Sequence, residues 1–355
     1  MKFRTIITLL LTTGSTAVVA GGFETTALST SFMYESGSYG EASLSSRTYD
    51  ITGTVYAPTG SPVKNLSKPA FAFKSDIFDN VALGLSYYNQ GAVQLDYSGA
   101  GAVPALAAGL PVVDLTIDAL TLQAKYDYSK NIAVIAGIKN TTVQDAMANI
   151  FQSVPLAAST ITGKSEMGYI VGAAYSIPEI AFRAELLYET ETNFSLDTAS
   201  AAGAGKTTGS IPDYMTLNFQ SGVADGTLVF GSMRRADWAN HQLRVHPQAT
   251  DTSSFTNTTT INVGVGRKVT DALSLIGTYG TEAKGDAAGT SLLSMTNGYQ
   301  GITIAGRYTL ENATITAGYN YTMFGDKTVT PPGGAAGSFT GNKVTGFGVK
   351  VGFSF

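Results

Sequence analysis

The chain closes on an unbroken alternation. Phe347, Val349, Val351, Phe353 and Phe355 fall on one parity, and Gly346, Gly348, Lys350, Gly352 and Ser354 on the other. Successive strand side chains face opposite sides of a sheet, so the pattern predicts a β-strand with one apolar face and one small, polar face. An amphipathic final strand ending in an aromatic residue suits the closing strand of an outer-membrane β-barrel, whose outer face meets lipid.

The same period recurs upstream. Leu120, Leu122, Ala124, Tyr126 and Tyr128 share a face opposite Thr121, Gln123, Lys125 and Asp127. Further rows run through Tyr169–Ile177, Ile180–Tyr188, Met215–Phe219, Ile302–Tyr308 and Ile315–Tyr321. Many of these apolar rows end in Tyr or Phe, as the aromatic girdles at a membrane interface do.

The connections sort into two kinds. Tight turns are predicted at Asp79-Asn80, Ser129 to Asn131, Pro178-Glu179, Ala224 to Gly226, Thr270-Asp271 and Glu311-Asn312. Longer segments rich in Gly, Ser, Thr and Pro fall at 57–69, 98–116, 144–164, 196–211, 239–258, 282–298 and 325–342. Short and long connections alternate, which predicts an all-β, 14-stranded antiparallel transmembrane barrel with periplasmic turns and outer loops.

Composition sharpens this picture. The 40 Gly, 18 Tyr and 17 Phe, with 14% charged residues, fit an alternating lipid-facing barrel better than a soluble enzyme. Beyond the amino terminus no apolar run approaches the ~18 residues that a transmembrane helix needs. Lys2 and Arg4, the apolar stretch Ile6 to Leu11 and the small residues before Gly21 form a secretory signal over residues 1–20. Its removal takes two cations, leaving 20 Lys+Arg against 26 Asp+Glu. The absence of Cys excludes disulfides and thiolate metal sites. No basic run points to nucleic acid.

Between signal and barrel lies GGFETTALSTSFMYE, residues 21–35, which we expect to fold back into the lumen as a small hatch; the competing reading is a disordered periplasmic extension. The barrel proper is then 36–355. Catalytic chemistry has little support. His241 and His246 are the only histidines, their spacing fits neither a helical nor a strand-borne zinc pair, and no motif calls for a cofactor. A hydrolase would need a Ser–His pair assembled in space from the outer loops.

By alternation Lys125, Lys139, Arg183, Arg307 and Lys350 point into the barrel, together with Asp127, Glu185 and Glu189. Such charges either orient a ligand or pair across a solvated wall. The apolar loop AGAVPALAAGLPVV, with Leu106 and Leu110, is a candidate landing site or a cover for the barrel mouth. Trp238, the single tryptophan, is expected as an interfacial anchor on the outer leaflet.

Four stretches carry a resemblance: 21–44, 167–190 (MGYIVGAAYSIPEIAFRAELLYET), 227–243 (TLVFGSMRRADWANHQL) and the close GFGVKVGFSF. On these the whole mature chain resembles a shorter branch of the FadL/TodX family of outer-membrane transporters for hydrophobic compounds. The Asn-Pro-Ala element of many members is replaced by Met33-Tyr34-Glu35-Ser36-Gly37. The resemblance implies a hatch-plugged barrel in a Gram-negative outer membrane. It implies passive uptake of long-chain fatty acids or aromatic hydrocarbons, with lateral release at an inward kink of the third strand. That strand is expected over Val81 to Tyr97, with the kink at Gly84 and at Asn89-Gln90-Gly91, since glycine weakens a strand and marks bulges. The candidate ligand set is Phe32, Tyr34, Leu106, Leu110, Lys125, Arg183 and Arg307. Expected partners are a hydrophobic ligand, outer-membrane lipid and the barrel-assembly machinery, engaged through the strand ending at Phe355, with the protein a monomer. The rival reading is a general porin or structural barrel; an adhesin is a third.

Overall fold

The computed structural model describes residues 21–55, 57–98, 110–150, 158–331 and 336–355. The expected signal, residues 1–20, and Leu106 lie outside them.

Fourteen strands form the wall. They are β1 (Tyr39–Asp50), β2 (Leu66–Phe78), β3 (Val81–Asp96), β4 (Val112–Asp127), β5 (Ile132–Val143), β6 (Lys164–Ile177) and β7 (Phe182–Glu189). The second half is β8 (Tyr214–Ala224), β9 (Thr227–Ala236), β10 (Thr258–Lys268), β11 (Leu273–Glu282), β12 (Tyr299–Thr309), β13 (Ala313–Phe324) and β14 (Lys343–Ser354). Each pairs antiparallel with its neighbours, and β14 returns to β1 from Tyr39↔Ser354 to Asp50↔Lys343, so no edge is left. In lipid, where backbone groups find no water, closure is what makes such a sheet tenable.

Side-chain alternation sets which face meets lipid. On β4, Leu120 and Leu122 are 45% and 47% exposed while the alternating Thr121 and Gln123 are fully buried. Exposed Phe71, Phe73, Tyr169, Val171, Ile302, Ile304 and Phe347 continue the outward apolar belt around a transmembrane barrel. All six predicted tight turns join consecutive strands.

The long connections needed correction. The loop expected at 57–69 ends earlier, because β2 begins at Leu66, and that expected at 98–116 is shorter because β4 begins at Val112. The segment 196–211 is no loop. It belongs to a hairpin, Thr192–Ser200 with Gly203–Ile211, held in an unbroken ladder. Its Gly and Thr content imitates a loop, but Phe194, Leu196 and Ile211 face a buried core. A further five-stranded sheet joins pieces of the first, sixth and seventh long connections, among them Gly53–Val55, Lys327–Val329 and Gly337–Phe339. With Ile51, Tyr97, Leu292, Leu293 and Met295 it forms an apolar cap continuous with the barrel interior.

Candidate functional site

The segment 21–38 runs among inward-facing side chains, and three groups of contacts hold it there. At its start Phe23 packs edge-on against Trp238, with ring centroids 4.6 Å apart, and against Phe255 at 5.4 Å. Trp238 is 1% exposed, so the expected interfacial anchor is instead a core residue. It follows the end of β9 on a short turn (Trp238–Asn240) that folds over the lumen rather than toward lipid.

The next residue, Glu24, ends a buried chain of charges. Arg234 on β9 donates to both carboxylate oxygens, from Nε at 3.2 and 3.1 Å and from Nη2 at 2.6 Å. Its Nη1 donates to Glu189 Oε1 at 2.8 Å and to Thr216 Oγ1 at 2.7 Å. Lys139 Nζ donates to the other oxygen of Glu189 at 2.9 Å. The Arg234 guanidinium also lies 3.8 Å from the Tyr214 ring centre. Two cations and two carboxylates alternate, so each buried charge has an opposite neighbour, as low-dielectric surroundings demand.

At the lower end Glu185 on β7 accepts hydrogen bonds from Thr30 Oγ1 (2.6 Å), Tyr34 Oη (2.5 Å) and Asn218 Nδ2 (2.9 Å). Arg183 stacks on the Tyr34 ring at 3.7 Å and Lys125 lies 5.3 Å from its centre. Burial, reinforced by Glu185, pushes the Tyr34 hydroxyl well above its usual range. Lys74 donates to the carbonyls of Glu35 and Gly37. Two predicted ligand cations, Arg183 and Lys125, therefore face the chain's own amino-terminal segment. Arg307 is buried and faces Glu35, Tyr39 and Glu41. Phe32 is 1% exposed and Leu110 is buried in the apolar core, so Leu110 presents no surface to solvent.

The middle contact is with β3, and here the wall changes. The β2–β3 ladder ends at Phe71↔Tyr87, although β1 keeps pairing β2 up to Arg47↔Leu66 and β4 keeps pairing β3 up to Asp96↔Val112. The chain just before β2 meets β3 again at Val63↔Leu95, where Lys64 N donates to Gln94 O at 3.0 Å and Asp96 N to Pro62 O at 2.7 Å. Between lies a window in the wall, flanked by 65–70 and 88–93. A bulge leaves Gln90 as the extra residue between Asn89 and Gly91. Above it the burial alternation stops: Asn89, Gln90, Gly91, Ala92 and Val93 are all buried, so β3 has turned inward.

The amino-terminal segment takes over pairing that β2 has given up. Thr25 N donates to Gln90 O (2.8 Å) and Ala92 N to Phe23 O (3.1 Å), while Thr25 Oγ1 reaches Asn89 O and Oδ1. A Cβ on Gly91 would stand 2.9 Å from both the Phe23 ring and its carbonyl oxygen. Gly84 plays a different part from the one expected. Its register is regular, Lys74↔Gly84 and Gly84↔Gln123, so it is no bulge; instead a Cβ there would meet Met33 Sδ and the Phe32 ring. Pro69 sits on the stretch of β2 that lacks β3, the kind of free edge on which a strand tolerates proline.

Beside the window a cavity of about 130 Å³ separates Thr26, Ala27, Ser29 and Phe32 from the wall of β14, β1, β2 and β3. Ligand pockets usually exceed ~300 Å³, so in this arrangement the segment fills space that a larger ligand would need.

At the outer surface Ser210 Oγ lies 2.7 Å from His241 Nδ1, the kind of Ser–His pair that only folding brings together. His241 Nε2 stands 3.9 Å from Glu191, too far for the third hydrogen bond of a relay. The contact ties the 237–257 loop to the 192–211 hairpin.

Sequence reading missed Glu24, Arg234 and the inward place of Trp238. For Arg234 a signal existed: it alternates with outward Met233 and Arg235 on β9. For Glu24 and Trp238, outside any barrel strand, there was none.

No family model and no curated protein matches the sequence. Solved structures do. A Pseudomonas aeruginosa FadL homologue superposes with a TM-score of 0.77 at 12% identity, covering 92% of each chain. The Pseudomonas putida toluene transporter TodX gives 0.68 at 12%, covering 91% of each. The Ralstonia pickettii toluene transporter TbuX gives 0.64 at 10%, covering 91% of this chain and 90% of its own.

Proposed function

With the fold of the FadL and TodX barrels as premise, we propose that this protein is a passive outer-membrane transporter for hydrophobic small molecules. A ligand captured at the outer loops displaces part of the 21–35 segment, which acts as a hatch. It then leaves sideways through the β2–β3 window into the membrane. The single observation that carries this reading is that window: a break in an otherwise closed ladder, next to a bulge and opposite a segment that fills the lumen. An open window costs unpaired backbone groups in lipid, a cost a merely structural barrel has no reason to bear. The chemistry needs no reaction. A ligand moves from water into apolar surroundings downhill, at about 25 cal/mol per Å² of apolar surface removed from water. Release follows because the bilayer offers the same surroundings without ordering the chain. A general porin is the alternative, but the buried Glu24–Arg234–Glu189–Lys139 chain braces a filled lumen rather than a water channel.

Closing the window tests the proposal. Because the chain contains no Cys, Ala70→Cys with Tyr88→Cys provides two unique thiols on either side of the gap. A reducible bis-thiosulfonate cross-link is expected to leave ligand capture intact and to stop transfer into vesicle lipid, with reduction restoring it. Transfer that ignores the cross-link would overturn lateral release. Steady salt conductance through the uncross-linked protein would favour the porin.

A further inference from the structure

The buried charges at the outer end of the lumen do not balance. Glu24, Glu189 and Glu282 share two cations, Arg234 and Lys139, and both of those are taken up by Glu24 and Glu189. Glu282, the last residue of β11, is 4% exposed and close enough to Glu24 for the two carboxylates to repel each other. Every Lys, Arg and His after residue 20 is among the described residues, and none places a nitrogen within 4.0 Å of Glu282. Arg47 on β1 faces Tyr49 and Tyr299 instead. Glu185 also lacks a cation at that distance, but three side-chain donors serve it. Glu282 receives one side-chain hydroxyl, Thr260 Oγ1 across the β10–β11 ladder, at 3.4 Å. A buried carboxylate so thinly served is costly unless a positive charge completes it.

The other donor to Glu282 is the backbone N–H of Gly21, the first described residue. Gly21 is buried, and its carbonyl accepts from Thr256 N at 2.9 Å. Neither Gly21 nor Gly22 has room for a side chain: a Cβ on Gly21 runs into the Thr258 methyl, and one on Gly22 into the Trp238 ring. Phe23 and Glu24 are anchored directly behind them. The nitrogen that faces the unbalanced carboxylate is therefore the one that removal of residues 1–20 sets free.

We propose that Gly21 begins the mature chain and that its α-ammonium is the missing counterion of Glu282. A leader-cleaving peptidase adds water across the Ala20–Gly21 amide. The C–N bond breaks, hydroxyl goes to the Ala20 carbonyl carbon and hydrogen to the nitrogen, and the proton of the new acid passes to the new amine. That amine is charged at neutral pH, since a free α-amino group titrates at about 7.7–8.0 and a carboxylate beside it favours the charged form. In place of one neutral N–H, Glu282 then faces a cation with three donors, and each of Glu24, Glu189 and Glu282 has its own positive partner in the cluster. Before cleavage the same nitrogen belongs to an amide and the cluster stays one positive charge short, so the segment seats fully only in the processed chain. The pairing holds for the seated segment whatever the barrel carries, and so goes beyond the transport reading.

The test starts from the full precursor, expressed with its own leader and isolated from the outer membrane; intact mass is expected to place the mature start at Gly21. A start elsewhere would overturn the proposal. Two changes are then made singly and together: Glu282→Gln, and a Leu inserted between Ala20 and Gly21. The insertion keeps cleavage after the small Ala20, moves the ammonium one residue away and leaves an amide at Gly21. The readout is hydrogen exchange of the Thr256 amide, which donates to Gly21 O, relative to its intrinsic rate. Each change alone leaves one buried charge uncompensated and is expected to speed that exchange by about tenfold or more, with β12 and β13 still protected. The two together are expected to exchange more slowly than the Leu insertion alone, because Gln then replaces a carboxylate that has lost its partner. A carboxylate that only accepts a hydrogen bond or fills space gives no such reversal. The pairing is refuted if Glu282→Gln leaves exchange unchanged in the native chain, or fails to slow it in the inserted one; lateral transport stands in either case. Transport fails separately, through the cross-link across the window.

Discussion

Replacing Glu24 by Gln removes one charge and almost no volume, which makes it the sharpest perturbation of the proposed hatch. In the native arrangement Arg234 makes three hydrogen bonds to that carboxylate, the shortest 2.6 Å, with both side chains less than a tenth exposed. Removing one partner of a buried pair costs about 3–5 kcal/mol, mostly because the remaining charge is left uncompensated. Glu189 still faces Arg234 at 2.8 Å and is shared with Lys139, so the lower end of that range applies. About 3 kcal/mol corresponds to about a hundredfold shift toward the unseated segment. The lower contacts, Thr30 and Tyr34 on Glu185, are untouched, so release is expected to be local. Amide hydrogen exchange followed by mass spectrometry reads this directly. Thr25 and Ala92, whose N–H groups cross between segment and β3, are expected to exchange about a hundredfold faster in Glu24→Gln, while amides of β12 and β13 stay protected. Unchanged exchange at Thr25 and Ala92 would show that the charge chain does not hold the segment.

Other consequences follow from the same contacts. Trp238→Ala opens a cavity among Phe23, Phe255 and Tyr214 and is expected to lower stability by about 3–5 kcal/mol, measured by urea unfolding in detergent; an interfacial anchor would cost far less. Gly91→Val drives a side chain into Phe23 and is expected to raise the accessibility of 21–26 to protease, whereas Gly306→Val, where a Cβ meets nothing, leaves it unchanged. Burial, the largest cause, holds the Glu35 carboxyl above the usual carboxylate range despite Arg307 and Lys350. A raised carboxyl binds its proton more tightly when seated, so its contribution to seating is full below the free-carboxyl value of about 4.3 and is lost as pH rises through the raised value. Segment protection, taken as exchange relative to the base-catalysed intrinsic rate at the same pH, is therefore expected to be greater near pH 4 than near pH 7. Glu35→Gln is expected to flatten that dependence; a persistent slope in the variant would assign it elsewhere.

The strand period and the alternation of short and long connections determined the barrel and its strand number. Both follow from local rules: a residue's parity decides whether it meets lipid or lumen, and a turn needs only its own few residues. Parity likewise sent Lys125, Lys139, Arg183, Glu185 and Glu189 inward. It could not say what each would face once inside. Arg183 found Tyr34 from 149 positions earlier in the chain, and Glu189 found both Lys139 and Arg234, because closure of the sheet brings distant strands to one lumen. The bulge at Asn89-Gln90-Gly91 was legible from its residues; that β2 parts from β3 there was not, since a missing ladder is a property of two strands and of the segment that replaces one of them. Trp238 shows the same limit. Its sequence neighbours resemble a membrane interface, but a turn after β9 folds it inward onto Phe23, and only the tertiary structure decides between lipid and lumen.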